Sequence, residues 1–302
     1  MRNRLSLILG SLVIAGLLLS ACGGAGGGGP EIRVGSKEFT EQHLLGNMYE
    51  MLLDDAGYNA TYSAIGGSAE VHSALVNGEI DVYPEYTGTG LLTHLEQEYD
   101  PSMSGEDVYQ TVKQQYQEQW DLTWLDPVQF NNTYCLAMPQ ERAEELGIET
   151  ISDLTEHASE LELGATQEFL ERSDGLPGLE EAYGSFNFEA TIGLDPGLKY
   201  SGLREGEFDV TTCFGTDGQI AGFNLRVLED NQNFWPPYPA APVIRDEVLE
   251  EHPEVADILN QLSPLLDGQT MSDLNWQVDG EGREADTVAR EFLTEQGLLD
   301  SE

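Results

Sequence analysis

Between residues 32 and 86 the hydrophobic pattern switches period repeatedly, and this alternation restricts the fold more than any other feature of the chain. Residues 32–34 read as a short strand. Over 41–56, Leu44, Leu45, Met48 and Leu52 share one helical stripe, with Thr40 as the expected N-cap and Gly57 as the stop. Residues 58–65 read as a second strand. Gly66-Gly67-Ser68 opens a second helix that runs to Asn77 with Gly78 as its C-cap, and the strand in "GEIDVYPEYTGT" (78–89) follows. Strand, helix, strand, helix, strand is the signature of a parallel sheet covered by helices.

The rest of the chain repeats the theme. Ser104-Gly-Glu-Asp107 opens a helix with a capping box. Extended segments are expected at 124–125, 133–138, 161–165, 188–192, 208–214, 224–228 and 241–244. Helices are expected at 139–146 and 179–183, and three more close the chain at 253–262, 271–276 and 283–296. A sequence of 302 residues exceeds what one core usually serves, so two lobes are expected.

An internal echo links the two series. Gly78-Glu-Ile-Asp-Val82 and Gly206-Glu-Phe-Asp-Val210 share a pattern, and four positions after each valine stands an aromatic ring, Tyr86 or Phe214. Coincidence between two helix–Gly–strand junctions is the plain reading. The sharper one is two lobes of like topology whose strand ends face each other. Ligands of open α/β sheets bind beyond the carboxyl ends of the strands, which would put both rings in one cleft.

The N-terminus has a basic start, an apolar run over 5–19, and Ser20-Ala21 before Cys22. This is the form of a secretory signal, too short for a confident membrane span. Small residues ahead of Cys22 match a bacterial lipobox. Removal of 1–21 and a lipid on Cys22 are therefore expected, with the glycine-rich 22–30 as a tether; an ordinary secreted protein with a chance cysteine is the alternative. The expected location is extracytoplasmic, anchored to the cell membrane.

Against 13 Lys and Arg stand 55 Asp and Glu, a formal net charge of −42, and Lys37, Lys113 and Lys199 are the only lysines. Such an excess argues against nucleic acid or an anionic membrane surface as partner. The acids are spread along the chain and the apolar periodicity is intact. That fits a globular protein for high salt, where screening removes self-repulsion, better than a disordered acidic chain. There is no Gly-x-Ser-x-Gly elbow, phosphate loop or His-Glu-x-x-His, and the five histidines are scattered. No catalytic residue, metal or cofactor is expected.

Rings at strand ends are the unusual feature: Tyr86, Tyr134, Phe214 and, after Trp235-Pro-Pro237, Tyr238. Core packing is the default for any one of them. Together they suit a cation box, since ring faces attract cations by about 0.5–2 kcal/mol each. Lys37, beyond the first strand, and Arg172, in a loop between strand and helix, are candidates to hold an anion; surface salt bridges are the bland reading. Tyr83 reads as core.

The stretches "VGSKEFTEQHLLGNMYEMLL", "DVYPEYTGTG", "FNNTYCLAMP", "RSDGLPGLEEAYG" and "FWPPYPAAPVIR" resemble the substrate-binding proteins of glycine betaine/carnitine/choline ABC importers, from residue 32 to the last helix. The resemblance implies an α/β, two-lobe periplasmic-binding-protein-like (type II) fold with hinge strands and a central cleft. The lobes would be 31–132 plus 239–302, and 133–238. It implies a cage of Tyr86, Tyr134, Tyr238 and Phe214, a main-chain carbonyl near Asn132, and a carboxylate clamp of Lys37, Thr89 and Arg172. Phe214 departs from the family's tyrosine, keeping the ring face and losing the hydroxyl. The implied partners are a small quaternary-ammonium ligand and an ABC permease with its ATPase; a choline- or carnitine-preferring receptor and a sensory lipoprotein are the alternatives. Glu85, matched by Cys213 in the echo, is expected to face away from the ligand. Cys135 and Cys213 flank cage residues. A disulfide behind the cage is conceivable, but two buried free thiols are the preferred reading.

Overall fold

The structure, a computed structural model, describes residues 28–300. The expected signal segment, Cys22 and most of the tether lie outside the described residues. β1 (Glu31–Lys37), α1 (Thr40–Asp55), β2 (Asn59–Gly66), α2 (Ser68–Val76) and β3 (Val82–Tyr86) reproduce the opening alternation. β4 (Leu122–Trp124) follows, then β5 (Tyr134–Pro139), β6 (Glu162–Thr166), β7 (Ala190–Leu194), β8 (Val210–Phe214), β9 (Leu225–Val227) and β10 (Ala240–Arg245).

The strands form two sheets, ordered β2-β1-β3-β10-β4 and β7-β6-β8-β5-β9. In each, the first three strands are parallel and the fourth runs against them. The chain crosses from the first sheet to the second between β4 and β5, and returns between β9 and β10. β3 and β8 hold the same central place. Val82 pairs with Val34 of β1, and Val210 pairs with Leu163 of β6. The echo is therefore a topological equivalence, with Tyr86 and Phe214 at matching strand ends.

α1 lies between the first sheet and the C-terminal helix Ala285–Glu295. Leu44, Leu45, Met48 and Leu52 are buried as the stripe requires. At Gly46 a Cβ would stand 2.3 Å from the Tyr62 ring, so only glycine lets β2 approach this closely. Thr40 is not the cap: Phe39 holds that position without a side-chain bond, and the Thr40 hydroxyl donates instead to Asp279 of the helix Gly268–Asp279, 2.5 Å away. At the helix Gly105–Trp120 the expected capping box between Ser104 and Asp107 is formed. In the second lobe four short helices escaped the sequence reading: Ile151–His157, Gln167–Glu171, Lys199–Glu205 and Gln219–Gly222. Each spans no more than two turns, too few for an apolar period to show.

Cys135 and Cys213 are directly paired across β5 and β8 and joined in a disulfide, with Cα atoms 4.8 Å apart. The preference for free thiols is thereby corrected. Sequence spacing carried no trace of the antiparallel register that makes them opposite neighbours. The bond spans 78 residues, which in the chain-entropy treatment is worth at most about 4.5 kcal/mol. Replacing both cysteines by serine is expected to lower the unfolding free energy toward that limit, measured by urea denaturation under non-reducing conditions.

Candidate ligand-binding site

All eight residues singled out from the sequence line one cavity of about 240 Å³ between the lobes: Lys37, Tyr86, Thr89, Asn132, Tyr134, Arg172, Phe214 and Tyr238. Their positions follow from the topology. Lys37, Tyr86 and Phe214 stand at the carboxyl ends of β1, β3 and β8, while Tyr134 opens β5 and Tyr238 ends the return crossover. Asn132 precedes β5, and its backbone N–H donates to the Tyr238 carbonyl at 3.1 Å, so the two crossovers run side by side under the cavity.

The rings form a connected wall. Tyr134 is its centre, 4.9 Å from Phe214 and 6.2 Å from Tyr238 between centroids, the latter edge-on. Phe39, which the sequence reading passed over, stacks on Phe214 at 5.4 Å and on Tyr86 at 6.3 Å. It stands just beyond a strand end, as the other rings do, and that position was the available signal. Ring faces here already attract cations: Lys37 Nζ lies 5.1 Å from the Tyr86 centroid and Arg172 Cζ 5.5 Å from that of Tyr134. Tyr238 packs closely on Gly88, where a Cβ would meet its ring at 2.4 Å.

Each tyrosine hydroxyl at the two ends of the wall is fixed by a buried carboxylate. Tyr238 donates to Asp174 at 2.7 Å, and Tyr86 donates to Glu41 at 2.6 Å. Glu41 and Asp174 are second omissions of the sequence reading; in a chain with 55 acids, two more carry no contrast.

The cations proposed as a clamp are paired within the chain. Lys37 Nζ donates to Glu85 at 2.6 Å, and Glu85 also bonds Tyr83 and His94. Burial alone would raise the Glu85 carboxyl. The Lys37 ammonium and the His94 bond outweigh it and hold the group well below the usual carboxylate range. Glu85 is outside the cavity lining, in agreement with its expected outward aspect, and Tyr83 is fully buried as core. Arg172 uses all five of its N–H donors: two on Asp174 at 2.6 and 2.5 Å, one on Glu168 at 3.0 Å, one on Ser68 at 3.1 Å and one on Thr89 at 3.3 Å. Ser68 and Thr89 belong to the first sheet's elements, Glu168 and Asp174 to the second's, so this guanidinium ties the lobes together.

A family model described as the substrate binding domain of ABC-type glycine betaine transport systems matches residues 30–295. The chain belongs to that family. It is 39% identical over 281 residues to the glycine-betaine-binding protein of Pseudomonas aeruginosa, covering 89% of each chain. It is 36% identical to the ergothioneine transport permease/ergothioneine binding protein EgtU of Helicobacter pylori, with 88% of this chain covering 47% of that longer protein. Among solved structures, a glycine betaine/carnitine/choline ABC transporter protein aligns at a TM-score of 0.72 with 31% identity, over 89% of this chain and 100% of the other. The fold is thus the two-lobe α/β binding-protein fold, and proteins of this family work outside the cytoplasm with ABC importers.

Removing Lys37 leaves Glu85 buried with His94 as its basic neighbour and no ammonium beside it. Lys37→Met is expected to destabilise the protein by about 3–5 kcal/mol near neutral pH. Because the folded Glu85 value is depressed, the pair's contribution is complete above the ordinary value of 4.5 and fades as pH falls. Urea melts at pH 7 and pH 3 should therefore differ more in the wild type than in the variant.

Proposed function

We propose that this protein is a receptor for a quaternary-ammonium compatible solute, glycine betaine foremost, which it delivers to an ABC permease with its ATPase, and that it is not an enzyme. The observation that carries the reading is the convergence of Tyr86, Tyr134, Phe214, Tyr238 and Phe39 with Lys37 and Arg172 on one small cavity. A quaternary ammonium has no N–H to donate, so ring faces are its natural partners. Micromolar affinity requires about 8 kcal/mol, more than such rings supply, and the cationic side of the cavity provides the complement for a carboxylate. The relative from Pseudomonas aeruginosa carries glycine betaine in its name, which supports the same ligand.

In this reading the lobes, 31–132 plus 239–302 and 133–238, close on the ligand about the paired crossovers, and cage and clamp are complete only on closure. A lipid on Cys22 would hold the receptor at the outer face of the membrane, and the acidic surface suits high external salt. A sensory lipoprotein would use the same site; neighbouring genes for a permease and an ATPase separate the two.

One observation favours a second ligand class. Arg172 is fully engaged, and the Glu168 carboxylate, which lines the cavity, also accepts from the Ser68 N–H at 3.4 Å. A choline-like cation without a carboxylate would leave that arrangement in place, whereas betaine must displace a bond to Arg172.

Isothermal titration at molar salt decides between them. Glycine betaine is expected to bind; no heat with betaine, proline betaine, carnitine or choline would sink the reading. Tyr86→Ala is expected to weaken binding at least about tenfold through the lost ring face. Arg172→Ala is expected to weaken betaine far more than choline, and equal losses would remove Arg172 from the clamp.

A further inference from the structure

The buried carboxylate behind the candidate cage competes with a second acceptor for a single hydroxyl hydrogen. Glu41 Oε1 accepts from the Tyr86 hydroxyl at 2.6 Å and from Asn132 Nδ2 at 2.8 Å. That orientation of Asn132 leaves its Oδ1 as an acceptor 2.9 Å from the Thr216 hydroxyl. The same hydroxyl touches Glu41 Oε2. A threonine hydroxyl has one hydrogen and here faces two acceptors. Asn275 Nδ2 has two hydrogens, one on the Thr216 carbonyl at 2.9 Å and the other reaching Oε2 only at 3.4 Å. With Glu41 ionised, one of the two contacts to the Thr216 hydroxyl holds no hydrogen. With a proton on Oε2 the chain closes: Glu41 donates to Thr216, and Thr216 donates to Asn132.

We propose that Glu41 is a positioning residue that works as a neutral carboxylic acid, linking Tyr86 of the first lobe to Thr216 of the second, so that closure on ligand takes up one proton from solvent. The pieces come from separate parts of the chain: Glu41 from α1, Tyr86 from β3, Asn132 from a crossover, Thr216 from the loop after β8, and Asn275 from the helix Gly268–Asp279. Opening the lobes separates Thr216 from Glu41 and lets water reach the carboxyl.

The charges around it agree. None of its hydrogen-bond partners is a cation. Glu38, His43, Lys199, Asp217 and Asp279 line the adjoining chamber with Glu41. Lys199 is held 3.6 Å from Asp217, and burial keeps His43 toward its neutral form. Burial pushes the Glu41 carboxyl up to about 7, Asp217 adds to the rise, and the bonds from Thr216, Tyr86 and Asn275 do not offset it.

The inference rests on the cage reading of Tyr86 for its consequence in binding, but its protonation is testable without ligand. A folded value near 7 against 4.5 unfolded means the folded state holds the extra proton between them, so this term loses stability as pH rises through that window. Glu41→Gln supplies a permanent N–H to Thr216 and removes the term. Thermal melts are expected to show the variant gaining on the wild type from pH 5 to pH 8, in full with saturating glycine betaine and, without ligand, in proportion to the fraction of molecules whose lobes are closed. A difference that is the same at both pH values overturns the proton assignment. In titrations with glycine betaine, wild-type affinity should fall at least about fivefold over that range, with the variant changing less than about twofold. Equal pH dependence overturns the coupling to closure. Should Glu41→Gln fail to fold, Thr216→Val removes a bond that lowers the Glu41 value, so its deficit in melting is expected to run the opposite way, widening as pH rises. If no quaternary amine binds at all, the functional reading falls while the melting comparison still decides the proton.

Discussion

Arg172 binds both lobes at once, and the placing of a ring in the cavity wall depends on it. Its guanidinium holds Asp174 in a two-pronged pair, and Asp174 in turn accepts from the Tyr238 hydroxyl. On its other side it reaches Ser68 and Thr89 at the start and end of the first lobe's ligand-facing loops. Removing one member of a buried pair strands the other charge, at a cost of several kcal/mol. The orientation of the Tyr238 ring and the approach of the lobes are thereby set by the same guanidinium.

Two buried glutamates nearby show how environment divides a single chemistry. Glu85 and Glu41 are both out of contact with bulk solvent and both accept from a tyrosine. Glu85 also has the Lys37 ammonium at 2.6 Å and stays ionised. Glu41 has hydroxyls and amides only, which do not repay the loss of hydration, so its carboxyl drifts toward the neutral form. One carboxylate fixes the Lys37 ammonium in place; the other joins residues of both lobes through Tyr86 and Thr216.

Much of this was legible in the sequence because it is written in local periodicity. The opening alternation gave β1 to β3 with their helices, and the repeated Gly-Glu-apolar-Asp-Val marked two strands that hold the same place in separate sheets. Rings at strand ends stood out because such positions usually carry polar turns. The omissions share a different cause. Phe39 looked like any aromatic near a helix start, the short helices of the second lobe held too few residues for a period, and Glu41, Asp174 and Glu168 were hidden among 55 acids.

By itself, then, the sequence determined the two-lobe α/β architecture and the residues that meet at the cavity, since both follow from pattern and from motifs along the chain. Only the tertiary structure decided how those residues are paired. The disulfide depends on antiparallel register between β5 and β8, and the engagement of Arg172 depends on elements up to 104 residues away. The state of Glu41 depends on which donors close around it. Such properties arise from distance and burial, which a chain acquires only on folding.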